Sequence, residues 1–223
     1  MRTNKIGLVT IGQAPRVDLV PEIRSILGNN IEIAEKGALD NLTLNEVKGL
    51  YPEKDDDMLV TRMKDGTEVK VSEQYIYPKI VDKIKEFEND GIKIILLACT
   101  GEFPEFSSDS LVIRPQKVLY NVVNALAQNS ILGVIVPNKL QINAAKMRWS
   151  DSALKVVVEQ GSPYGEIEGI KRAAEKLAMK NADMIVMDCI GYTLKMKEIV
   201  KEKTGRPVIL ARTITSRVIQ ELL

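Results

Sequence analysis

Ile92-Lys-Ile-Ile-Leu-Leu-Ala-Cys-Thr-Gly101 and Met184-Ile-Val-Met-Asp-Cys-Ile-Gly191 decide the fold. Each is an apolar run of strand length that ends on a cysteine and, two residues later, a glycine. Unbroken apolar runs belong to strands covered on both faces, as in parallel sheets, whereas half-exposed strands alternate. A segment of helical period precedes each run. Ile80, Val81, Ile84 and Phe87 share one face of a helix predicted over 78–89 and stopped by Asp90-Gly91, and a second amphipathic helix is predicted over 170–181. Strands alternating with helices in this way make βαβ units.

Working outward, Ile6-Gly-Leu-Val-Thr-Ile11 ends in Gly12-Gln-Ala-Pro15, followed by a helix over 18–27 with Pro21 in its first turn and a strand near 31–34. From Ile131 the pattern begins again, with Ile131-Leu-Gly-Val-Ile-Val136 resembling the first run. Leu111-Val-Ile-Arg114 leads into a helix over 118–127, and Pro207-Val-Ile-Leu-Ala-Arg212 into a terminal helix over 213–223. Both halves therefore read strand, helix, central insert, helix, strand, Cys-x-Gly, strand, Arg, helix. The expected fold class is α/β, in two pseudo-symmetric domains, each a mainly parallel sheet flanked by helices.

Residues 40–77 break the rhythm. Asn41-Leu-Thr-Leu-Asn-Glu46 suggests a short capped helix, and Met58-Leu-Val-Thr-Arg-Met63 faces Glu68-Val-Lys-Val71 across Lys64-Asp-Gly-Thr67, where Asp-Gly is a hairpin-turn signal. A β-hairpin inserted at about 55–75 follows, an appendage that the second half lacks. Asp55-Asp-Asp57 reads as a solvated loop, because adjacent residues cannot all converge on one metal ion.

Composition narrows the partner. The chain has 223 residues, 45% hydrophobic and 27% charged, the balance of a soluble globular protein. Lys and Arg (31) nearly cancel Asp and Glu (30), so no basic excess marks a nucleic-acid or membrane-surface partner, and a small molecule is expected. No apolar run approaches the roughly 18 residues that span a bilayer, and a strand-like run begins at Lys5 where a signal peptide would have its core, so the chain reads as cytoplasmic. Two cysteines are too few for a disulfide framework. The absence of histidine removes Ser-His triads, Cys-His dyads and His-ligated metals, leaving Cys, Asp, Glu, Lys and Tyr for proton transfer.

Ligands of parallel sheets bind beyond the carboxyl ends of strands, where Cys99 and Cys189 fall. Two related halves packed with these ends together would bring the thiols to opposite sides of one cleft. One thiolate then removes a proton from a carbon beside a carboxylate while the other thiol protonates the opposite face, with neither cofactor nor metal. A free cysteine titrates at about 8.5, so the base needs amide N–H groups, a helix N-terminus or a cation nearby, and the developing enolate needs fixed donors. Candidate donors are the backbone at Gly101 and Gly191, the hydroxyls of Thr10, Thr100 and Thr193, the amides of Gln13 and Asn138, and the phenol of Tyr192. Arg16, Arg114 and Arg212 are placed either to clamp a substrate carboxylate or to cap strands and pair with acids such as Glu22 and Glu102. Arg62 on the hairpin is either part of a lid or a solvated strand residue. Asp188 is expected to point away from Cys189, since neighbours on a strand alternate. For either cysteine alone, a small buried core residue is the competing reading.

Thr10-Ile-Gly-Gln-Ala-Pro-Arg16, Leu97-Ala-Cys-Thr-Gly-Glu-Phe-Pro104 and Met187-Asp-Cys-Ile-Gly-Tyr192 resemble the hallmarks of the AroM family, over essentially the whole chain. More distantly, the paired halves and cysteines resemble the cofactor-independent aspartate/glutamate racemase superfamily, which includes hydantoin racemases, maleate isomerases and arylmalonate decarboxylases. That resemblance implies two domains, 1–114 with 213–223 and 115–212, an active site between them with Cys99 and Cys189 as its acid and base, and a homodimer. Departures are also visible. Ile190 stands where racemases carry threonine after the second cysteine, the histidine of glutamate racemases is absent, and Gly12-Gln13 replaces their aspartate-serine pair. Three readings stay open: an isomerase or racemase of a small carboxylate, a decarboxylase or lyase using one thiol, and a non-catalytic carboxylate sensor.

Overall fold

A computed structural model describes residues 5–53 and 57–223 of the chain. Asp55 and Asp56 of the acidic run, expected as a solvated loop, lie outside the described residues. The chain divides into two compact units, Met1–Pro115 with Arg217–Leu223, and Gln116–Ser216.

In the first unit, β1 (Lys5–Thr10) and β5 (Ile94–Ala98) are the unbroken apolar runs, and between them lie α1 (Val20–Leu27), β2 (Glu32–Gly37), α2 (Leu44–Lys48), β3 (Met58–Arg62), β4 (Glu68–Ser72) and α3 (Glu73–Asn89). β6 (Leu111–Ile113) follows, and α4 (Pro115–Ala127) leads into the second unit. The sheet order is β2-β1-β5-β6, all parallel. The second unit holds β7 (Ile131–Val136), α5 (Ile142–Trp149), β8 (Lys155–Gln160), α6 (Ile167–Met179), β9 (Met184–Met187), α7 (Leu194–Thr204) and β10 (Val208–Leu210), and α8 (Ala211–Leu222) closes the chain. Its sheet order is β8-β7-β9-β10, again parallel.

The two sheets therefore have the same order when β1 is matched with β7 and β5 with β9. Register agrees as well. Gly7 pairs with Ile95 and Gly133 with Ile185. Each of these glycines makes room for the helix that packs across its strand: a Cβ on Gly7 would stand 2.8 Å from the Phe87 ring of α3, and one on Gly133 3.2 Å from Leu177 of α6.

Several expected boundaries move. The helix predicted over 78–89 starts at Glu73, so Pro78 lies inside it rather than at its start. Proline normally ends a helical pattern because it lacks an N–H, but Ile76, Ile80, Ile84 and Phe87 are all buried on one face. Burying such side chains is worth about 1.5–3 kcal/mol each, enough to hold the extra turn. α5 takes the place of the helix expected after the first strand of the second half, whose bounds the pattern leaves open; β8 and α7 lie outside the pattern, and residues 99–110 run without helix or strand where the second unit has α7. Arg212 belongs to the first turn of α8, not to a strand end: the Thr213 hydroxyl donates to the Leu210 carbonyl at 3.1 Å and the Ser216 hydroxyl to the Arg212 carbonyl at 2.8 Å, the back-bonds of a helix.

The hairpin forms across Asp65-Gly66 as antiparallel β3 and β4, with Leu59 opposite Val71. It is more than an appendage. Leu59, Met63, Val69 and Val71 join Val9, Ile80, Ile84, Leu97 and Cys99 in one apolar core. The preceding helix α2 is capped as expected, Glu46 N–H donating to the Thr43 hydroxyl while the Glu46 carboxylate accepts from Thr43 N–H at 2.7 Å.

Candidate functional site

Cys99 follows β5 directly, and its sulfur accepts a hydrogen bond from Gly101 N–H at 3.2 Å. Cys189 follows β9 through Asp188, and its sulfur accepts from Gly191 N–H at 3.4 Å. Neither cysteine forms a disulfide, and each is buried at 8% exposure. The same two-residue sulfur turn is thus built twice, at the carboxyl ends of matching strands. A backbone N–H aimed at a sulfur favours its thiolate form.

A buried arginine braces the chain at or just beyond each turn. Arg114, just after β6, donates to the Phe103 carbonyl, pairs with Glu105 at 3.1 Å and lies over the Phe106 ring at 5.7 Å. It thereby ties down the helix-free segment beyond Cys99. Arg212, fully buried, donates from Nε to the Ile190 carbonyl and from Nη2 to the Gly191 carbonyl, each at 3.0 Å. Tyr192 N–H donates to the Cys189 carbonyl at 3.4 Å and closes that turn.

The side of each turn differs. At the first, Leu59 of the hairpin covers Gly101, with its Cδ2 2.7 Å from where a Cβ would stand. At the second, the Tyr164 hydroxyl lies 2.6 Å from the Cβ position of Gly191. Tyr192, expected as the phenol of this turn, is fully buried and donates instead to the Gly161 carbonyl at 2.7 Å. Tyr164 is not among the residues the sequence points to, because the strand before it, β8, lies outside the expected pattern. Its signal was Val156-Val-Val158 running into Gly161-Ser-Pro-Tyr164. Asp188 turns to α5, as strand alternation requires, and accepts from Trp149 Nε1 at 3.0 Å and Arg148 Nη1 at 3.1 Å. Thr193 caps α7 by accepting from Met196 N–H at 3.2 Å.

The remaining candidates build the loop after β1. The Thr10 hydroxyl accepts from Gly12 N–H at 3.2 Å and Arg16 Nη1 at 2.7 Å. Arg16, 2% exposed, grips Asp18 with Nε at 2.9 Å and Nη2 at 2.8 Å, and Arg62 reaches the same carboxylate at 3.8 Å. Burial works against the charge of Asp18, but hydrogen bonds and charge from Arg16, aided by Arg62, hold its carboxyl below the usual carboxylate range. Arg62 is half-buried and directed at the loop after β1 through this pairing. Gln13 fastens three segments, donating to the carbonyls of Leu39 and Leu42 at 3.2 and 2.8 Å and accepting from Lys64 N–H at 2.9 Å. Asn138, beyond β7, accepts from Leu140 N–H at 3.0 Å and starts the 3-10 turn that leads into α5. The structure therefore brings Cys99, Thr100, Gly101 and Arg114 into one neighbourhood and Cys189, Gly191, Arg212 and Tyr164 into another, while Thr10, Gln13 and Arg16 bond mainly among loop segments.

Paired parallel sheets of this order, with matching turns at their central strands, define a racemase-like α/β fold. The chain is similar to glutamate racemase of Francisella tularensis solved with D-glutamate, at TM-score 0.60 and 17% identity, covering 100% of this chain and 82% of that one. It is also similar to maleate isomerase of Pseudomonas putida S16 (TM-score 0.59, 10% identity, 98% and 92% coverage) and to unliganded arylmalonate decarboxylase (0.58, 12%, 99% and 92%). The sequence model of the AroM family, described as AroM protein, matches residues 6–223, and the chain belongs to that family. No curated protein matches the sequence. No helix among the described residues is long and apolar enough to cross a membrane.

Proposed function

We propose that the protein is a cofactor-independent isomerase or racemase of a small carboxylate, with Cys99 and Cys189 as its acid and base. The observation that supports this most is the duplicated sulfur turn, in which a glycine N–H points at each thiol from 3.2 and 3.4 Å. In the proposed step one thiolate takes the proton from the carbon beside the carboxylate, becoming a thiol and leaving an enolate. The second thiol gives its proton to the opposite face and becomes the thiolate. No atom is gained or lost, and the two sulfurs exchange protonation states with each turnover. Thr100, Asn138 and Tyr164 are proposed donors to the carboxylate and enolate oxygens, because each lies at the carboxyl end of a strand or in the loop that follows it. Arg114 and Arg212 are proposed to brace the segments after the cysteines rather than clamp the substrate, since Arg114 donates to the Phe103 carbonyl and pairs with Glu105, and Arg212 donates to the Ile190 and Gly191 carbonyls.

The test is hydrogen–deuterium exchange at the carbon beside the carboxylate, across a panel of small 2-substituted and unsaturated carboxylates in deuterated water. Exchange that disappears in both Cys99→Ala and Cys189→Ala, with the fold retained, supports the proposal. Exchange that survives in both ends it. Loss at one cysteine alone replaces it with the one-thiol decarboxylase or lyase reading, and tight ligand binding that is indifferent to both substitutions replaces it with the sensor reading.

A further inference from the structure

We propose that Arg212 is a positioning residue for Cys189, acting through the single peptide unit that joins Ile190 to Gly191. This rests on the acid–base role proposed for Cys189. The carbonyl of that peptide unit accepts from Arg212 Nε at 3.0 Å, and its N–H donates to the Cys189 sulfur at 3.4 Å. The next unit is held in the same way, with the Gly191 carbonyl on Arg212 Nη2 at 3.0 Å and the Tyr192 N–H on the Cys189 carbonyl at 3.4 Å. One guanidinium therefore grips both carbonyls of the turn and fixes the direction in which the Gly191 N–H points.

The effect is electrical as well as geometric. A cation on the oxygen of an amide draws electron density from it and makes its N–H a stronger donor, and such chains strengthen in a low dielectric. Arg212 is fully buried, so water does not screen it, and a guanidinium keeps its charge at all relevant pH. Cys189 is 8% exposed, whereas Arg212 is wholly enclosed, so the guanidinium acts on the sulfur only through the peptide unit between them. Arg114 has a different reach in the first unit: it grips the Phe103 carbonyl, beyond Gly101, and pairs with Glu105. The coupling to a thiol through one peptide unit is thus assigned to the second turn.

The experiment uses Cys99→Ala protein, in which Cys189 is the sole thiol. Its thiolate is titrated by ultraviolet absorbance and by the rate of iodoacetamide alkylation. Adding Arg212→Gln is expected to move the titration upward by about one pH unit and to slow alkylation near neutral pH about tenfold. Arg212→Lys, which restores a charge but not the two-pronged grip, is expected between the two. A purely structural arginine would lower the melting temperature and leave the titration in place, and an unmoved titration in a folded Arg212→Gln protein overturns the proposal. Should that variant fail to fold, the parent decides: a thiol titrating below the free-cysteine value of about 8.5 supports the proposal, and one at or above it overturns it. No substrate enters these measurements, so their failure is distinct from a failure of deuterium exchange.

Discussion

Tyr164 lies over Gly191, its hydroxyl oxygen 2.6 Å and its ring carbon Cζ 2.9 Å from the place a side chain would begin. Pro163 stands 3.1 Å from the same point. Gly191→Ala must therefore displace this rigid pair or the turn itself, at a cost of about 1–3 kcal/mol in denaturant unfolding. Alkylation of Cys189 should slow as Gly191 N–H leaves the sulfur. Gly101→Ala meets the end of the flexible Leu59 side chain at 2.7 Å, and a smaller loss is expected.

Tyr192→Phe removes the hydroxyl that donates to the Gly161 carbonyl at 2.7 Å. The carbonyl is left without this partner in a buried place, so stability should fall by about 1–3 kcal/mol. Equilibrium unfolding measures this, and an unchanged midpoint would show that the bond contributes nothing.

Gly12→Ala should loosen the hairpin. A Cβ there would stand 2.4 Å from the Arg62 carbonyl oxygen and 2.5 Å from Thr61 Oγ1, and a backbone atom cannot swing aside. A loss of about 1–3 kcal/mol is expected, with faster amide exchange along β3.

Asp18 sets a pH dependence. Its carboxyl titrates below the usual range in the folded chain, so the folded state binds this proton less readily than the unfolded one does. The resulting stabilisation is fully present above the unfolded value of about 3.9 and is lost as pH falls through the lower folded value. Asp18→Asn should be less stable near neutral pH and should show a shallower loss of stability in acid, measured as unfolding midpoint against pH.

Trp149 is the only tryptophan in the chain, so its fluorescence reports one place. Asp188→Ala strips the acceptor from Trp149 Nε1 and from Arg148. A red-shifted emission and a loss of about 2 kcal/mol are expected. Unchanged emission would mean that Asp188 does not hold the indole.

Legibility followed burial. β1, β5, β7 and β9 were readable because both of their faces are covered and the runs are unbroken, and the hairpin because Asp65-Gly66 separates two alternating stretches. The bounds of α5 and the presence of α7 are not readable. Only Ala145 and Trp149 are buried in α5, and only Val200 in α7, too few to print a helical period on the sequence. The places of the two cysteines were evident from the repeat. The partners of Arg114 and Arg212 were not, because they bond to backbone carbonyls, and a carbonyl is present at every residue whatever its type. Arg16 stays open to both readings for a related reason: a strand-end arginine suits a ligand carboxylate or a protein one, and here Asp18, two residues on, pairs with it.

The shared core of the hairpin bears on how the halves relate. Because Leu59 and Val71 pack with Cys99 and Leu97, the first half is not the second half with a loop spliced in. Excising Met58–Ser72 would open its interior instead of leaving a smaller intact module, and a tandem chimera of two second halves would supply no substitute for it. The repeat is visible in the sheets, but the two halves are not interchangeable parts.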